Sequence, residues 1–533
     1  MDTLSKKQQL TRERRKNLEL GGGTNEVEKQ HRQKKLTARE RLAILFDEGT
    51  FQEIDLWIRP IQTGFDIDKK DLPGDAVITG FGKINGRIVY AYSHDFTVVG
   101  GTMSSGQDHK VTRLMEMAMQ ASAPYVGLID SGGVRIHDLF GRSAFRPIQA
   151  GRISVGGTTG IFAAPSLASG MIPQISVMLG PCYAGSAYSP TLADFLIMRK
   201  NTSFMSVASP ELLKTVTFED VTREAIGGAE LHATTTGTAD YLAETDADAI
   251  QYCRKLLTYL PQNYKETTPL SECTDDSPAS REELNRIAGD VSTGSYDMHN
   301  VIEQLADNRQ FLEVQELFAP GLIIGFIRIN GQSIGIVANN PAKNGGLLNI
   351  NTCDKAARFI RFCDCFNLPI VFLVDTPGFD ANSEEERSKD GLIRTAARPI
   401  FAVCEATVPM IVIYIGKCYG PARLVMGTPR MGIDMVYSWP TAQVARMDPT
   451  EVTNIIYKRE IDSSEEPGKV RDEKLGELLQ RYIVFPFHGA EQLMVNEIIE
   501  PSDTRPIIVN TLKAMINKAP LSSNWKKHSL IPK

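Results

Sequence analysis

No apolar run in this chain reaches the roughly 18–20 residues that a membrane span requires, so no direct membrane insertion is expected. The opening segment, Met1 to Lys16, is polar and basic and lacks the apolar stretch of a signal peptide. Asp2 and Glu13 are foreign to a transit peptide, and a cytoplasmic protein is expected. Cysteine is scarce, eight in 533 residues at irregular spacing, which argues against a disulfide framework. The one close pair, Cys363 and Cys365, sits in an amphipathic stretch with no further ligands. Packing of reduced thiols is expected there, and no metal site. The eight histidines form no constellation with a nucleophile. No Gly-Lys-Ser/Thr follows a glycine-rich loop and no GxGxxG opens a helix, which excludes the P-loop and the dinucleotide fingerprint. A net charge of −6 argues against a nucleic-acid partner.

What is present is a run of small residues, Gly180-Pro181-Cys182-Tyr183-Ala184-Gly185-Ser186-Ala187-Tyr188-Ser189-Pro190. An apolar run, Ile172 to Leu179, leads into it, and a helix from Thr191 to Met198 is expected after it. A buried strand that breaks into small residues and then starts a helix presents backbone N–H groups to something negative. Alone, the stretch reads equally as a tight turn with nothing bound.

A second copy weighs against the empty turn. Gly416-Lys417-Cys418-Tyr419-Gly420-Pro421-Ala422 follows another apolar run, and Cys182-Tyr183 matches Cys418-Tyr419 at an offset of 236. Three further matches share an offset of 245: Ile84-Asn85-Gly86 with Ile329-Asn330-Gly331, Gly100-Gly101 with Gly345-Gly346, and Asp130 with Asp375 in two strand-like runs. Four matches in one order mean a duplicated domain. Each half then supplies one anion pocket, and together they suit a reaction that develops two negative charges.

The organisation follows. A charged N-terminal arm, 1–36, precedes a first domain, 37–275, and a second, 276–533, with Pro261 to Glu283 as the polar linker. Thr37 and Glu40 form a capping pair for an amphipathic helix, and the arm reads as a docking element without catalytic part. Asn85-Gly86 joins two strands by a type I′ turn, repeated at Asn330-Gly331. Alternating strands and helices predict an α/β fold with a partly parallel sheet. The strand Tyr125 to Ile129 ends in Asp130-Ser131-Gly132-Gly133-Val134-Arg135, where glycines admit a ligand and Arg135 could reach a phosphate or carboxylate, or lie on the surface. The stretch beyond it, with Arg142, Arg146, Arg152 and Gly156-Gly157, reads as a flap over a ligand or as a plain loop. Asp380 to Asp390 is an acidic loop, and Glu384 to Glu386 read as a solvated face. Residues 462–473 read as a charged turn before a helix.

Gly21-Gly22-Gly23, Lys35 to Arg41 (KLTARER), Asp95 to Gly101 (DFTVVGG), Asp130 to Ile136 (DSGGVRI), the Gly180 to Pro190 run, Phe218 to Thr222 (FEDVT), Trp439 to Ala442 (WPTA) and Asp503 to Arg505 are specific in combination. They resemble the carboxyltransferase (β) subunits of biotin-dependent acyl-CoA carboxylases, over nearly the whole chain. The resemblance implies duplicated crotonase-like domains, each a stacked ββα superhelix, in a hexamer built as a dimer of trimers. It implies acyl-CoA on the first half at Ser131, Gly132, Gly133 and Arg135, and biotin on the second half of a neighbouring subunit at Gly345, Gly346 and Tyr419. A partner with biotin carboxylase and biotin carrier functions brings the biotin. The implied reaction moves a carboxyl group from carboxybiotin to the α-carbon of a short-chain acyl-CoA through a thioester enolate. Ala184 and Gly185 fall on the family's enolate pocket. The family's biotin pocket falls on Pro421-Ala422, where Pro421 replaces a residue that donates an N–H, so Gly420 and Ala422 are the catalytic candidates there. His137-Asp138 replace the Gln-Glu after the CoA loop, and Arg423 replaces the usual tyrosine. Leu424 falls at the acyl end of the site, so Arg423 and Leu424 are the candidates for acyl specificity. A decarboxylase running the same transfer in reverse, and a CoA-binding scaffold with a decayed biotin pocket, are the competing readings.

Overall fold

The computed structural model describes residues 3–60, 64–140, 160–275, 281–291, 296–380, 382–429, 431–482, 486–519 and 530–532. The chain divides into two compact units, Met1–Glu266 and Thr267–Lys533. The division falls within the expected linker, a little before the expected boundary at 275. The arm is not a separate body: its helices, Thr3–Glu19 and Thr24–Arg32, belong to the first unit.

The first unit is built on a seven-strand path: β1 (Gln52–Ile54), β2 (Val77–Ile84), β3 (Arg87–His94), β4 (Tyr125–Ile129), β5 (Gln174–Met178), β6 (Phe195–Arg199) and β7 (Tyr241–Ala243). The strands lie side by side in chain order. The first two pairings are antiparallel and the rest parallel. The second unit repeats the path as β8 (Phe311–Val314), β9 (Leu322–Ile329), β10 (Gln332–Asn339), β11 (Ile370–Thr376), β12 (Met410–Tyr419), β13 (Met435–Ser438) and β14 (Glu497–Ile498). Its pairings have the same senses in the same order.

The local chemistry repeats with the topology. Asn85 and Gly86 take φ of 49° and 78°, and Asn330 and Gly331 take 54° and 77°, the left-handed pair that a type I′ turn demands. The long helix after each hairpin, Ser105–Ala121 and Ile350–Cys365, is capped by Ser104 and Asn349, whose side chains accept the N–H of Gln107 and Thr352. Each helix carries one buried lysine. Lys110 donates to the carbonyls of Gly74 and Val77, and Lys355 to those of Gln315 and Phe318, which satisfies an ammonium that burial otherwise penalises. β4, β5 and β11 are buried along their whole length, so they read as apolar runs rather than as alternation.

Three sequence expectations are corrected here. Thr191 to Met198 is not a helix. The helical turn is Tyr188–Thr191, and Phe195–Arg199 is β6, because the apolar run Phe-Leu-Ile-Met is taken up as a parallel neighbour of β5. Asp380 to Asp390 is not all loop: Ser383–Arg387 is a helical turn, and the Glu385 carboxylate accepts the N–H of Ile350 at 3.0 Å. The charged turn near 462–473 is largely helix, Lys458–Ser463 and Pro467–Tyr482. The flap candidates Arg142, Arg146, Arg152, Gly156 and Gly157 lie outside the described residues.

Candidate active site

Both small-residue runs sit at the carboxyl ends of parallel strands, where ligands of α/β sheets bind. In the first unit the chain leaves β5, forms the short strand Pro181–Tyr183 and enters a 3-10 turn, Ala184–Ala187. Ala184 takes φ 53°, a left-handed conformation uncommon for a residue with a Cβ. Its counterpart 236 residues on, Gly420, takes φ 60°. As the first two residues of a turn, Ala184 and Gly185 have N–H groups with no partner inside it. A Cβ built on Gly185 or on Gly420 meets no protein atom within 4 Å, so both turns face open space.

A buried carboxylate lies beneath each turn. A Cβ on Gly180 would fall 1.8 Å from Asp130 Oδ1, and one on Gly416 would fall 2.2 Å from Asp375 Oδ2, so only glycine lets strand and carboxylate approach. The two carboxylates are held differently. Asp130 is 2.7 Å from Lys35 Nζ and 2.9 Å from Arg41 Nη1, and accepts from Gln30 Nε2 at 3.2 Å. Arg41 continues to Asp246 at 2.9 Å, and Arg199 meets the same carboxylate at 2.6 Å. Asp375 has no ion pair among the described residues. It accepts the Tyr296 hydroxyl and the Lys417 N–H, each at 2.8 Å, and burial raises its pKa.

Lys35 of the arm and Arg41 of the helix that follows it bind the base of the first pocket through Asp130, at the residue where the Ser131 loop leaves β4. The sequence shows a capped amphipathic helix at Lys35 to Leu42 but not the partners of its cations, and Arg41 is fully buried. His94 joins the same floor. The Asp130 N–H donates to its Nδ1 at 3.3 Å and burial lowers its pKa to about 4, so the ring is neutral with its proton on Nε2. It lines a cavity of about 20 Å³ with Ser131, Cys182 and Asp108. Burial raises Asp108 to about 6, against the N–H of Ile161 at 2.9 Å. Burial also pushes the thiols of Cys182 and Cys418 up to about 11 and about 12, so neither is a thiolate nucleophile at neutral pH.

The structure separates the remaining site candidates. The Ser131 loop is tied down within the protein: Gly133 N–H donates to Ser131 Oγ at 3.2 Å, and Gly132 N–H donates to Gly100 O at 2.8 Å, with Gly132 the exposed point. Arg135 does not reach outward. It is buried, with Nη1 2.6 Å from Asp75 and Nη2 on the Thr102 carbonyl, because an internal carboxylate completes the pair that a ligand was expected to supply. In the second unit Gly345 is exposed at φ 58°. Gly346 is a packing residue, its would-be Cβ 2.4 Å from the Asp375 carbonyl. The Tyr419 hydroxyl donates to Gln443, so its polar end is engaged within the protein. The Gly420 N–H donates to Ala445 O at 3.1 Å, which removes it as a donor to a ligand. Ala422 begins a helical turn, Ala422–Val425, and keeps an N–H without a partner in that turn. Arg423 and Leu424 are half-buried beside it.

Two copies of one α/β unit, each ending a parallel strand in a turn that faces open space, define a crotonase-like fold. The chain matches the carboxyl transferase domain over residues 29–531, and it belongs to that family. It is 42% identical to the methylmalonyl-CoA decarboxylase alpha subunit of Veillonella parvula, over 100% of both chains. It is 41% identical to the propionyl-CoA carboxylase carboxyltransferase subunit of Haloferax mediterranei, over 98% of both chains. Among solved structures, the transcarboxylase 12S core, a hexamer with methylmalonyl-coenzyme A and methylmalonic acid bound, superposes with a TM-score of 0.91 at 38% identity, covering 100% of this chain and 99% of that one. The protein is thus a carboxyltransferase, and no helix among its described residues is long and apolar enough to cross a membrane.

Proposed function

We propose that this chain transfers a carboxyl group between biotin and the α-carbon of a short-chain acyl-CoA, in the carboxylating direction, as a hexamer served by a biotin carboxylase and biotin carrier partner in the cytoplasm. The duplicated turn carries the proposal, because a transfer between two carbonyl-type acceptors needs one donor set for each developing oxyanion. Bound biotin would supply a ureido group that accepts and releases carboxylate and moves the α-proton. The first pocket would take the acyl-CoA: the N–H groups of Ala184 and Gly185 stabilise the thioester enolate, and Gly132 lies at the open point of the neighbouring loop. Lys35 and Arg41 pair with Asp130 and so keep that loop in place. The second pocket suits a ureido ring: Gly345 and Gly420 leave it open, and Ala422 offers an N–H. Leu424 offers apolar surface for a short acyl tail, each buried methylene contributing about 0.8 kcal/mol.

Relatives that carboxylate and relatives that decarboxylate match this chain almost equally, at 41% and 42% identity, which favours the reverse transfer as a second reading. Both readings use the same pockets. The test is decarboxylation of methylmalonyl-CoA and malonyl-CoA by the isolated protein with free biotin, followed by carboxylation once a carboxylated carrier is supplied. Turnover that depends on biotin supports the assignment. Binding of CoA thioesters without any biotin-dependent turnover overturns it in favour of a CoA-binding scaffold.

A further inference from the structure

The two pockets are copies of one turn, and the second has lost donors that the first keeps. Gly185 corresponds to Pro421, which has no N–H. Ala184 corresponds to Gly420, whose N–H is taken by the Ala445 carbonyl. Between 420 and 422 only Ala422 can donate outward. Ala187, buried and apolar in the first turn, corresponds to Arg423. This guanidinium is half-buried, and among the described residues no carboxylate pairs with it and no carbonyl or hydroxyl accepts from it. With no counter-charge among the described residues, this cation is available to a negative group that arrives at the turn. The loss of neutral donors and the gain of a cation thus fall within three residues of one turn.

We infer that Arg423 is a catalytic residue of the second pocket: its guanidinium donates to the oxygen that becomes negative there, replacing the N–H that Pro421 lacks. The inference rests on the proposed function, in which that oxygen is the ureido oxygen of biotin. A charge-assisted hydrogen bond is about twice as strong as a neutral one, so one guanidinium can stand in for an absent backbone donor. No proton moves to or from Arg423, which stays protonated throughout.

The experiment compares full-length wild type, Arg423→Met, Pro421→Gly and the double variant in biotin-dependent decarboxylation of methylmalonyl-CoA. Pro421 sits at φ −71°, ψ −14°, which glycine adopts without strain while restoring the N–H. Arg423→Met should lower kcat about 10²-fold with KM for the CoA substrate unchanged, and Pro421→Gly in that background should return at least tenfold. A readout independent of turnover is isotope-edited infrared spectroscopy of biotin labelled with 13C at the ureido carbon. The bound C=O stretch should lie lower in wild type than in Arg423→Met. A wild-type kcat in Arg423→Met, a loss that Pro421→Gly does not restore, or identical ureido stretches would each overturn the inference. A loss that instead tracks a second carboxylate on the acyl tail, across propionyl-, butyryl- and glutaryl-CoA as acceptors, would assign Arg423 to substrate recognition and overturn it as well. If wild type itself shows no biotin-dependent turnover, the proposed function fails, and the infrared comparison alone still decides Arg423.

Discussion

Asp130 and Asp375 occupy equivalent places under the two turns, and replacing each by asparagine should destabilise the protein very unequally. Asp130 neutralises Lys35 and Arg41, both buried, with Lys35 also over the Phe96 ring at 4.3 Å. The remaining nearby carboxylate, Asp246, already pairs with Arg41 and Arg199. Asp130→Asn therefore leaves a surplus buried positive charge, and removing one partner of such a network costs about 3–5 kcal/mol. Asp375 faces a hydroxyl and a backbone N–H with no ion pair among the described residues. The Asn oxygen still accepts one of these, so Asp375→Asn should cost about 1 kcal/mol. Hydrogen exchange by mass spectrometry resolves the two units: opening free energies should fall by those amounts in β4 peptides for Asp130→Asn and in β11 peptides for Asp375→Asn. At about 2–4 °C per kcal/mol, the first variant also loses on the order of 10 °C in Tm. Equal losses, or a larger one for Asp375→Asn, would refute the claim that cation pairing distinguishes the two floors.

Gly185→Val should lower kcat about 10²–10³-fold while leaving Tm within a degree or so, since its new Cβ enters open space and the methyls crowd the proposed enolate position; full activity would remove Ala184-Gly185 from the mechanism. His299 lies between Glu313 at 2.9 Å and Asp297 at 2.6 Å, and chiefly the hydrogen bond to Glu313 raises its pKa to about 9. Because the folded pKa exceeds the unfolded value near 6.5, this stabilisation is complete below pH 6.5 and is lost as pH rises towards 9. Chemical denaturation from pH 6 to 9.5 should show that decline in wild type and not in His299→Gln, and parallel pH profiles would exclude the ion triad as its source.

Much of the fold could be read from short-range chemistry. Asn-Gly pairs 245 residues apart announce two hairpins because few residues tolerate consecutive left-handed dihedrals, and Thr37 with Glu40 announces a helix start because those side chains satisfy orphan N–H groups. The glycines at 180 and 416 were visible as well, though the carboxylates that require them were not. The four-residue run Phe-Leu-Ile-Met of β6 is too short for its period to separate helix from strand, and the vacant edge beside β5 decided the matter.

By itself, then, the sequence determined what depends on neighbours along the chain: the duplication, the turns, the caps, and the two apolar runs that end in small-residue turns. The tertiary structure alone decided which charges meet. Nothing near them in sequence names the partners of Arg135 and Arg41, yet one closes on Asp75 and the other on Asp130 and Asp246, 60, 89 and 205 residues away. A buried charge is tolerated only where a counter-charge is brought to it, and that meeting depends on how strands pack rather than on residue type. For the same reason only the tertiary structure shows that Gly420 gives its N–H to Ala445 while Arg423, beside the same turn, meets no carboxylate among the described residues.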